Sequence, residues 1–295
     1  MKNPKFLIII PVRNRCDVLL ETIESMKFLS GNEEVKLVVV DDASTDDTAQ
    51  KVRERFPFVE LVVNESPRGP SYSRNRGASL YEPEYYVFLD SDIEVPGEWM
   101  SAVHKHASPN HVIAGKVVNY YNREVEVGPR CATFLGGSIP CPEHQANVGS
   151  SCNLVVPYAC FKAIDGFDEE IPYYFEDSDF CIRARRAGFP VKYVDEVVVY
   201  HKHSGYKTGK RIEMHVQNRT YAMSKAYEKK PAKLALFFLL NSAWVFVQSF
   251  IRSLKLQFGD SLAILRGWIK GNRKFMQRVL KRQRLSVSGS AAQSR

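Results

Sequence analysis

The stretch Tyr85–Asp92 constrains this chain more than any other part of the sequence. It reads Tyr-Tyr-Val-Phe-Leu-Asp-Ser-Asp, so five apolar or aromatic residues lead directly into two carboxylates. A continuous run of this length, rich in residues that favour β-structure, is typical of a central strand that is buried on both faces. Such a strand delivers Asp90 and Asp92 to the edge of an open α/β sheet, which is where ligands bind in folds of this class.

The spacing of these two carboxylates indicates one chemistry for them. Residues i and i+2 of an extended chain point to the same side. Carboxylate oxygens in that arrangement suit Mg²⁺ or Mn²⁺, and both ions bind the phosphates of nucleotides. Asp-x-Asp is also common in solvated turns after strands, so the pair alone does not decide between a metal site and a turn.

Three more predominantly apolar runs precede this stretch, and segments with helical spacing separate them. The runs are Phe6–Ile10, Val35–Val40 and Val59–Val63, and the helical segments are Asp17–Leu29, a segment capped at 44–47 that extends to Phe56, and Ser71–Leu80. Strands that alternate with helices over short links predict a parallel sheet with helices on both faces. We therefore predict an α/β fold with a Rossmann-like, mostly parallel sheet. No Gly-x-Gly-x-x-Gly pattern follows the first strand, which disfavours a dinucleotide redox cofactor.

The pattern is less regular beyond residue 92. The sequence predicts helices at Trp99–His106, Pro157–Ile164 and Glu176–Ala187, and strands at Val112–Tyr120 and Val191–Tyr200. Tyr121–Ser151 is rich in Gly, Pro and Cys without a clear period, which is typical of a long loop with some strand and makes it a candidate lid. The six cysteines form no Cys-x-x-Cys pair and are scattered over a long chain, so we expect them to be reduced.

The C-terminal part of the chain differs in composition from the rest. Leu234–Ile251 holds no charged residue over eighteen positions and only four polar ones, whereas Arg252–Arg284 carries ten Lys or Arg and one acid. The net charge of the whole chain is +8, which indicates an anionic partner. Eighteen residues is the lower limit for a helix that crosses a bilayer. A helix on a membrane surface with basic flanks fits at least as well, and a packed helical hairpin is the third alternative.

Polar motifs follow the predicted strands in a fixed order. Strand one ends in Pro11-Val12-Arg13-Asn14-Arg15 and strand two in Asp41-Asp42-Ala43-Ser44. A helix start at 69–77 precedes Asp90-Ser91-Asp92, Glu176-Asp177 begins a later helix, and His201 follows the last strand. In this order and spacing, over about residues 5–220, the chain resembles the family 2 glycosyltransferases, which have the GT-A fold; a rhamnosyltransferase is one candidate type. No single motif is specific, but five in register are.

The resemblance implies where the base of a nucleotide-sugar donor binds. Asp42, with Asp41 as the alternative, would accept the imide N–H of a uracil or thymine ring, and Pro11 and Arg13 would line the base pocket. Many relatives have an aromatic residue at the position of Arg13, which stacks on the base. A guanidinium can also stack through its flat face, and the identity of the base stays open.

The resemblance also implies where the diphosphate and a cation bind. Arg74 and Arg76 lie near a helix start and would meet the diphosphate or ribose, with a solvated helix face as the alternative. Asp92 and Asp90 would hold Mn²⁺ or Mg²⁺, with Asp90 also near the ribose, and the ion would neutralise charge on the leaving nucleotide. His201 would complete this metal site, and His203, two residues later, is its rival.

Two adjacent acids are the expected catalytic pair. By the resemblance, Asp177 is the general base that takes the acceptor's hydroxyl proton, and Glu176 orients the acceptor or the loop. Both lie at a helix start, where the helix dipole favours the ionised carboxylate. Helix capping alone is the alternative explanation for them.

These observations predict an inverting, metal-dependent transfer of a sugar from a UDP- or dTDP-sugar to a glycan or lipid-linked acceptor of the cell envelope. The alternative is a membrane-associated nucleotide-sugar-binding protein without transferase activity. A haloacid-dehalogenase phosphatase is disfavoured because Glu94 stands where that class has Thr or Val. A sugar nucleotidyltransferase is disfavoured because Pro11–Arg15 holds no glycine.

The predicted organisation follows from these assignments. We expect a GT-A domain over residues 1–225, a basic helical region over 226–285 that associates with a membrane surface, and a disordered tail over 286–295. No nucleic-acid-reading motif accompanies the basic tail, so nucleic acid is not an expected partner. Without a recognisable export signal, we expect the protein in the cytoplasm, peripheral on the inner face of the membrane. The sequence does not indicate an oligomeric state.

Overall fold

The computed structural model of this chain describes residues 3–202 and 209–292, with side chains through residue 284. It divides into two compact units. The first, which we call the sheet unit, comprises residues 1–133 and 138–205, and the second, the helical unit, comprises residues 134–137 and 206–295. The helix that crosses the predicted boundary at residue 225 belongs to the helical unit.

The sheet unit is organised around one large mixed sheet. Its strands are β1 (Phe6–Val12), β2 (Val35–Asp41), β3 (Glu60–Val63), β4 (Tyr85–Leu89), β5 (Ile93–Glu94), β6 (Val112–Asn119), β7 (Val125–Val127), β8 (Arg130–Ala132), β9 (Ser138–Pro140), β10 (Asn153–Pro157) and β11 (Val191–His201). Among the described residues, nine of them form one sheet in the order β3-β2-β1-β4-β10-β6-β11-β5, with β7 paired to β6. The strands β8 and β9 form a separate hairpin.

Helices cover both faces of this sheet, as the continuous apolar strands predict. They are α1 (Cys16–Ser25), α2 (Thr48–Arg55), α3 (Pro70–Ala78), α4 (Trp99–His106), α5 (Tyr158–Ala163) and α6 (Glu176–Arg186), with 3₁₀ turns at Lys27–Leu29 and Glu143–Gln145. Alternate residues of β1 enter different cores. Phe6 and Ile8 pack in a cluster with residues of α1 and α4, while Leu7 and Ile9 pack in one with residues of α3, α5 and α6. The predicted α/β architecture is thereby confirmed.

The parallel arrangement that the sequence predicts holds for the first four strands in sheet order, β3-β2-β1-β4. It holds again for β6 and β11, whose pairing contains a bulge between Val194 and Val198. The strand β10 runs antiparallel between β4 and β6 and was not predicted. Its first residue, Asn153, is fully buried and donates hydrogen bonds to the carbonyls of Lys116 and Val197. The Asn153 side chain therefore supplies hydrogen bonds to carbonyl groups at the bulge.

The expected long loop at 121–151 contains β7, β8, β9 and a 3₁₀ turn. The hairpin of β8 and β9 pairs Cys131 with Ile139, and Cys131 forms a disulfide with Cys141. The expectation that all cysteines are reduced is therefore wrong for these two, because antiparallel pairing brings together residues ten positions apart in the chain. Cys16, Cys152, Cys160 and Cys181 are free thiols and buried.

The helical unit contains α7 (Gly209–Tyr227), α8 (Pro231–Leu254) and α9 (Phe258–Ala292). The helices α7 and α9 approach each other closely at two glycines of α9. A Cβ atom at Gly267 would lie 2.3 Å from the carbonyl oxygen of Glu213, and one at Gly271 would lie 2.5 Å from that of Gln217. Small residues four apart permit such backbone contact. The backbone of α9 extends to Ala292, into the stretch 286–295 that the sequence predicts to be disordered.

Candidate functional site

The loops that follow β1 and β2 are joined at the edge of the sheet. The Asn14 backbone N–H donates to Ser44 Oγ at 3.0 Å, and Asn14 Oδ1 accepts from the Thr45 N–H at 2.7 Å. Asn14 and Ala43 both have left-handed backbone conformations, with φ of 52° and 55°. The predicted site residues Pro11 and Arg13 lie at this junction, where Pro11 is buried within β1 and Arg13 is exposed.

Asp42 is buried directly after β2, and its carboxylate is engaged with neighbouring segments. One oxygen accepts hydrogen bonds from Asn64 Nδ2 at 2.7 Å and the Arg68 N–H at 2.9 Å. The other accepts from the Gly69 N–H at 2.8 Å. These bonds fix the start of α3 against the end of β2. A carboxylate can accept about four hydrogen bonds, so Asp42 retains capacity for one more donor.

The segment before α6 packs against the start of α3. Gly69 has φ of 90°, and a Cβ atom there would lie 2.9 Å from Pro172 Cβ and 3.0 Å from the ring of Tyr173. Ser71 Oγ donates to the carbonyl of Ile171 at 2.6 Å. A glycine at position 69 thus meets two requirements, the positive φ and the close approach of the 171–173 segment.

Tyr173 brings a ring to the same place as Asp42 and Arg13. Burial raises the pKa of the Tyr173 hydroxyl, and the negative charge of Asp42 raises it further. Arg13 acts in the opposite direction, through its positive charge and a hydrogen bond to the hydroxyl. These three side chains therefore face one another at the end of β1 and β2, where the base pocket is predicted.

Arg74 of α3 joins two of the acidic motifs. Its side chain is 3% exposed, and its guanidinium donates to Asp90 Oδ1 at 2.8 Å and to Glu176 Oε1 at 3.4 Å. The acid that follows β4 and the acid that begins α6 are thereby held on one buried cation. Arg76 is directed elsewhere, since it donates to the Val63 carbonyl and to Asn64 Oδ1. The two arginines therefore have different partners, although the sequence analysis predicted the same role for both.

Asp92 lies in a second group of charges. It accepts a hydrogen bond from Arg15, and its Oδ1 lies 3.4 Å from Nε2 of His201. Nδ1 of the same histidine lies 2.7 Å from Glu126 Oε2. Burial alone would raise the pKa of Asp92, but His201 and then Arg15 outweigh it and hold the pKa below its ordinary value. Burial likewise opposes protonation of His201, yet Asp92 and Glu126 raise its pKa to about 9.

Donors that fit a divalent cation occur in both groups of charges. The described residues form no cluster of three or more His, Cys, Asp or Glu arranged as a ready metal site. The carboxylates of Asp90 and Asp92 and the imidazole of His201 are nevertheless donors that suit Mn²⁺. A carboxylate on the far nitrogen of a histidine is the usual device that orients a metal-ligating ring, and Glu126 stands in that position. His203, the rival ligand, lies outside the described residues.

The acid pair begins α6 after an unusual turn. Tyr174 and Phe175, the two residues before it, have φ of 54° and 82°. Left-handed conformations cost non-glycine residues about 1–3 kcal/mol each and concentrate at functional sites. Phe175 is buried, so packing of its ring anchors the turn that presents Glu176 and Asp177.

Burial is the largest cause of the raised pKa of both acids. The pKa of Glu176 is raised by burial and by the charge of Asp177, while Arg74 opposes the shift. The pKa of Asp177 is raised by burial, against the Ser178 N–H, which donates to Oδ1 at 2.7 Å, and against Arg74. This direction is opposite to the one that the helix dipole led us to expect. A raised pKa suits a general base, which must be able to accept a proton near neutral pH.

Three site residues were not predicted. Arg15 lies within the motif at 11–15, but the sequence does not indicate that it pairs with Asp92. Glu126 lies in the irregular loop, where only the short Val-Glu-Val alternation of β7 marks it. Tyr173 lies three residues before Glu176, in a Pro-Tyr-Tyr-Phe sequence in which nothing distinguishes it from its neighbours.

Comparison with known proteins gives a family match over half of the chain. The model of the family described as "Glycosyl transferase family 2" matches residues 7–161. An amylovoran biosynthesis glycosyltransferase of Erwinia amylovora is 32% identical over 212 residues, which cover 64% of this chain and 66% of that protein. A pre-mycofactocin glycosyltransferase of Mycobacterium tuberculosis is 25% identical over 215 residues. That alignment covers 66% of this chain but only 42% of the mycobacterial protein.

Solved structures resemble this one in fold. S. aureus TarS in complex with UDP-GlcNAc matches with a TM-score of 0.61 and 23% identity, covering 92% of this chain and 81% of that one. A mannosyltransferase of Pyrobaculum calidifontis in complex with GDP-Man and Mn²⁺ matches with a TM-score of 0.57 and 16% identity, covering 92% and 88%. At these identities the likeness establishes the α/β glycosyltransferase fold.

Proposed function

Because this chain belongs to glycosyl transferase family 2 and is a transferase, we propose that it moves a sugar from a UDP- or dTDP-sugar to a hydroxyl group, with inversion at the anomeric carbon. The observation that carries the proposal is the position of Arg74. Its guanidinium contacts both Asp90, which follows β4, and Glu176, which begins α6. The donor-binding acids and the acceptor-side acids therefore share one edge of the sheet.

The acid pair performs the proton transfer in this proposal. Asp177 accepts the proton of the acceptor hydroxyl while that oxygen forms a bond to the anomeric carbon. The bond from that carbon to the diphosphate breaks, and its electron pair leaves with the nucleoside diphosphate. Burial keeps Asp177 basic enough to take the proton. Glu176, held by Arg74, orients the acceptor.

Asp90, Asp92 and His201 are the residues that would hold a divalent cation. A bound Mn²⁺ or Mg²⁺ neutralises charge on the departing diphosphate. The P. calidifontis neighbour was solved with GDP-Man and Mn²⁺, which supports a metal of this kind here. Glu126 fixes the ring of His201 by its contact with Nδ1, so that Nε2 is presented on the side of Asp92.

The base pocket comprises Pro11, Arg13, Asp42 and Tyr173. Asp42 has capacity for one further hydrogen bond, which matches the single imide N–H of uracil or thymine. Tyr173 supplies the aromatic ring that relatives of this family often carry at the position of Arg13. The S. aureus neighbour with UDP-GlcNAc supports a UDP-sugar as the first donor to test.

The acceptor is a glycan or a lipid-linked glycan of the cell envelope, and the protein works at the cytoplasmic face of a membrane. The named role of the Erwinia relative in amylovoran biosynthesis supports a polysaccharide acceptor. The basic and apolar C-terminal sequence supports the membrane location. A nucleotide-sugar-binding protein without transferase activity is the second candidate.

A donor screen tests the proposal. The full chain is incubated with UDP- and dTDP-sugars and Mn²⁺ or Mg²⁺, and release of nucleotide is measured with and without a chelator. We expect metal-dependent release with one donor, and binding of that donor by isothermal titration. Donor binding without release for any glycan acceptor would favour the second candidate, and absence of binding to every nucleotide sugar would contradict both.

A further inference from the structure

Helix α8 is the one helix of the described residues that is long and apolar enough to cross a membrane, judged by length and composition alone. Only 22% of its most apolar eighteen-residue window is buried. A core helix of a soluble protein would bury most of that window. The apolar residues of α8 are therefore largely displayed rather than packed.

The side of α8 that packs inside the helical unit is partly polar. Its buried positions recur every four residues, at Phe237, Asn241, Val245 and Ser249. Asn241 accepts a hydrogen bond from Arg219 at 3.0 Å and donates to Thr220 at 3.3 Å. Asn241 and Ser249, two of the four polar residues of this apolar stretch, thus face protein.

Ser249 is satisfied inside the helical unit as well. Its backbone carbonyl accepts a hydrogen bond from the buried hydroxyl of Ser261 at 3.0 Å. The remaining two polar residues of the apolar stretch, Ser242 and Gln248, are half-buried, and Ser242 donates back to the Phe238 carbonyl of its own helix. The polar residues of α8 lie on or beside its packed side, so they do not interrupt the outer face.

The outer face of α8 is apolar from Leu236 to Leu254. Its exposed large residues are Leu236, Leu239, Leu240, Phe246, Val247, Phe250, Ile251 and Leu254. Leu239 is 67% exposed and Phe250 is 65% exposed. On α9, Leu262, Ile269 and Met276 are exposed at intervals of seven residues, which places them on one stripe that also includes the exposed Arg266 and Arg273. Contiguous exposed apolar surface of this kind marks an interaction site.

The charge of the helical unit indicates that the partner of this apolar surface is anionic. The unit contains 19 Lys or Arg and 3 Asp or Glu, a net charge of +16. Lys229, Lys230 and Lys233 flank the start of α8 and are exposed, and Lys255 caps its end. An apolar face bordered by lysines matches the boundary between acyl chains and anionic headgroups.

We propose that the outer face of α8, with the stripe on α9, docks the helical unit onto the surface of an anionic lipid bilayer. The helix lies in the plane of the membrane. It does not cross, because its inner side is packed against α7 and α9, and those helices carry charged residues along their length that would have to follow it into the hydrocarbon. The inference deepens the membrane location in the proposed function and rests on it, but it does not depend on the transfer chemistry.

Vesicle co-sedimentation of the full chain tests this docking. Vesicles contain phosphatidylcholine alone, or phosphatidylcholine and phosphatidylglycerol in equal parts. We expect binding to the anionic vesicles, weakened by salt, and little binding to the neutral ones. Substitution of Lys229, Lys233 and Lys255 by Gln should weaken binding to anionic vesicles by about fivefold per lysine. Failure to bind either vesicle would overturn the proposal.

A pair of matched double variants isolates the apolar face. Leu239→Gln with Phe250→Gln removes two exposed side chains of α8, and we expect at least about tenfold weaker binding to anionic vesicles. Leu80→Gln with Phe28→Gln removes the same residue types from exposed positions of the sheet unit, and binding should be unchanged. Equal binding by the α8 variant and the wild type would overturn the proposal.

Two further outcomes would assign the face to another occupant. Light scattering in the absence of lipid should give a monomer. A dimer that the Leu239→Gln and Phe250→Gln pair dissociates would assign the face to a second copy of the chain. Bound protein should be released by alkaline carbonate, whereas resistance to it would indicate a spanning helix. Donor binding, measured in the same preparations, reports on the proposed transferase function separately.

Discussion

The two units of this protein use apolar residues in opposite ways. The sheet unit places them on both faces of its strands, where helices cover them, and carries 22 Lys or Arg against 30 Asp or Glu. Among the described residues, 14 of the 20 exposed large apolar side chains belong to the helical unit, although it holds less than a third of the chain. The sheet unit thus buries its apolar residues in two cores, whereas the helical unit leaves many of them exposed.

Buried arginines sharpen this contrast. In the sheet unit, Arg74 is buried between the carboxylates of Asp90 and Glu176. In the helical unit, Arg219 donates to the amide of Asn241, and its guanidinium lies 3.8 Å from the centre of the Trp244 ring. Burial lowers the pKa of Arg219 to about 10. The first arginine joins two carboxylates, whereas the second forms a hydrogen bond with the polar inner side of α8.

The largest expected effect is on turnover, and it tests whether the sheet unit carries the proton transfer independently of vesicle binding by the helical unit. Asp177→Asn retains the oxygen that accepts from the Ser178 N–H but cannot take a proton. We expect the turnover number to fall about a thousandfold, with the Kd for the donor and the binding to vesicles unchanged. Glu170→Gln, an exposed acid of the preceding segment, serves as the control. Equal loss of turnover and donor affinity would contradict the assignment of Asp177 as the base.

The next effect tests the acid that only the structure revealed. Glu126→Gln removes the negatively charged carboxylate that contacts Nδ1 of His201. We expect the affinity for Mn²⁺ to fall about 10- to 100-fold. Mn²⁺ binding is measured by electron paramagnetic resonance in the presence of nucleotide, which does not depend on turnover. Glu124→Gln, two residues earlier in the chain, should leave Mn²⁺ affinity as in the wild type. If both variants bind Mn²⁺ equally, His201 does not need this orientation.

A third substitution tests the polar inner side of the helical unit. Asn241→Leu leaves the buried guanidinium of Arg219 and the hydroxyl of Thr220 without their amide partner. We expect the free energy of unfolding to fall by about 1–3 kcal/mol, measured by urea denaturation followed by circular dichroism. Ser242→Ala, the adjacent position, should cost little. An Asn241→Leu variant that is more stable than the wild type would show that the inner side tolerates an ordinary apolar core.

The smallest effect concerns the base pocket. Tyr173→Ala removes the ring that lies beside Asp42 and Arg13, and we expect the Kd for UDP to rise about 2- to 10-fold, the scale of one aromatic contact. Tyr173→Phe retains the ring and should bind UDP within about twofold of the wild type. Tyr121→Ala, an exposed tyrosine of the loop after β6, is the control. An unchanged Kd for Tyr173→Ala would remove this ring from the base pocket.

Local pattern was sufficient for much of the sheet unit. The strands up to β4 were predicted because each contains a predominantly apolar run, which a strand covered on both faces requires. The edge position of Asp42, Asp90 and Asp92 followed from the rule that parallel strands end at one edge. The strand β10 was missed because Asn153–Pro157 is short and begins with a polar residue, and its antiparallel insertion depends on partners more than thirty residues away.

The sequence by itself determined the α/β class, the acidic motifs and the change to an uncharged and then a basic composition from residue 234 onward. It could do so because periodicity, motif order and charge are properties of neighbouring residues. Only the tertiary structure decided that Arg74 joins Asp90 to Glu176, that Glu126 supports His201, and that Asn241 and Ser249 of α8 turn inward. Those facts depend on which distant segments meet, and a linear pattern does not record the direction in which a helix face points.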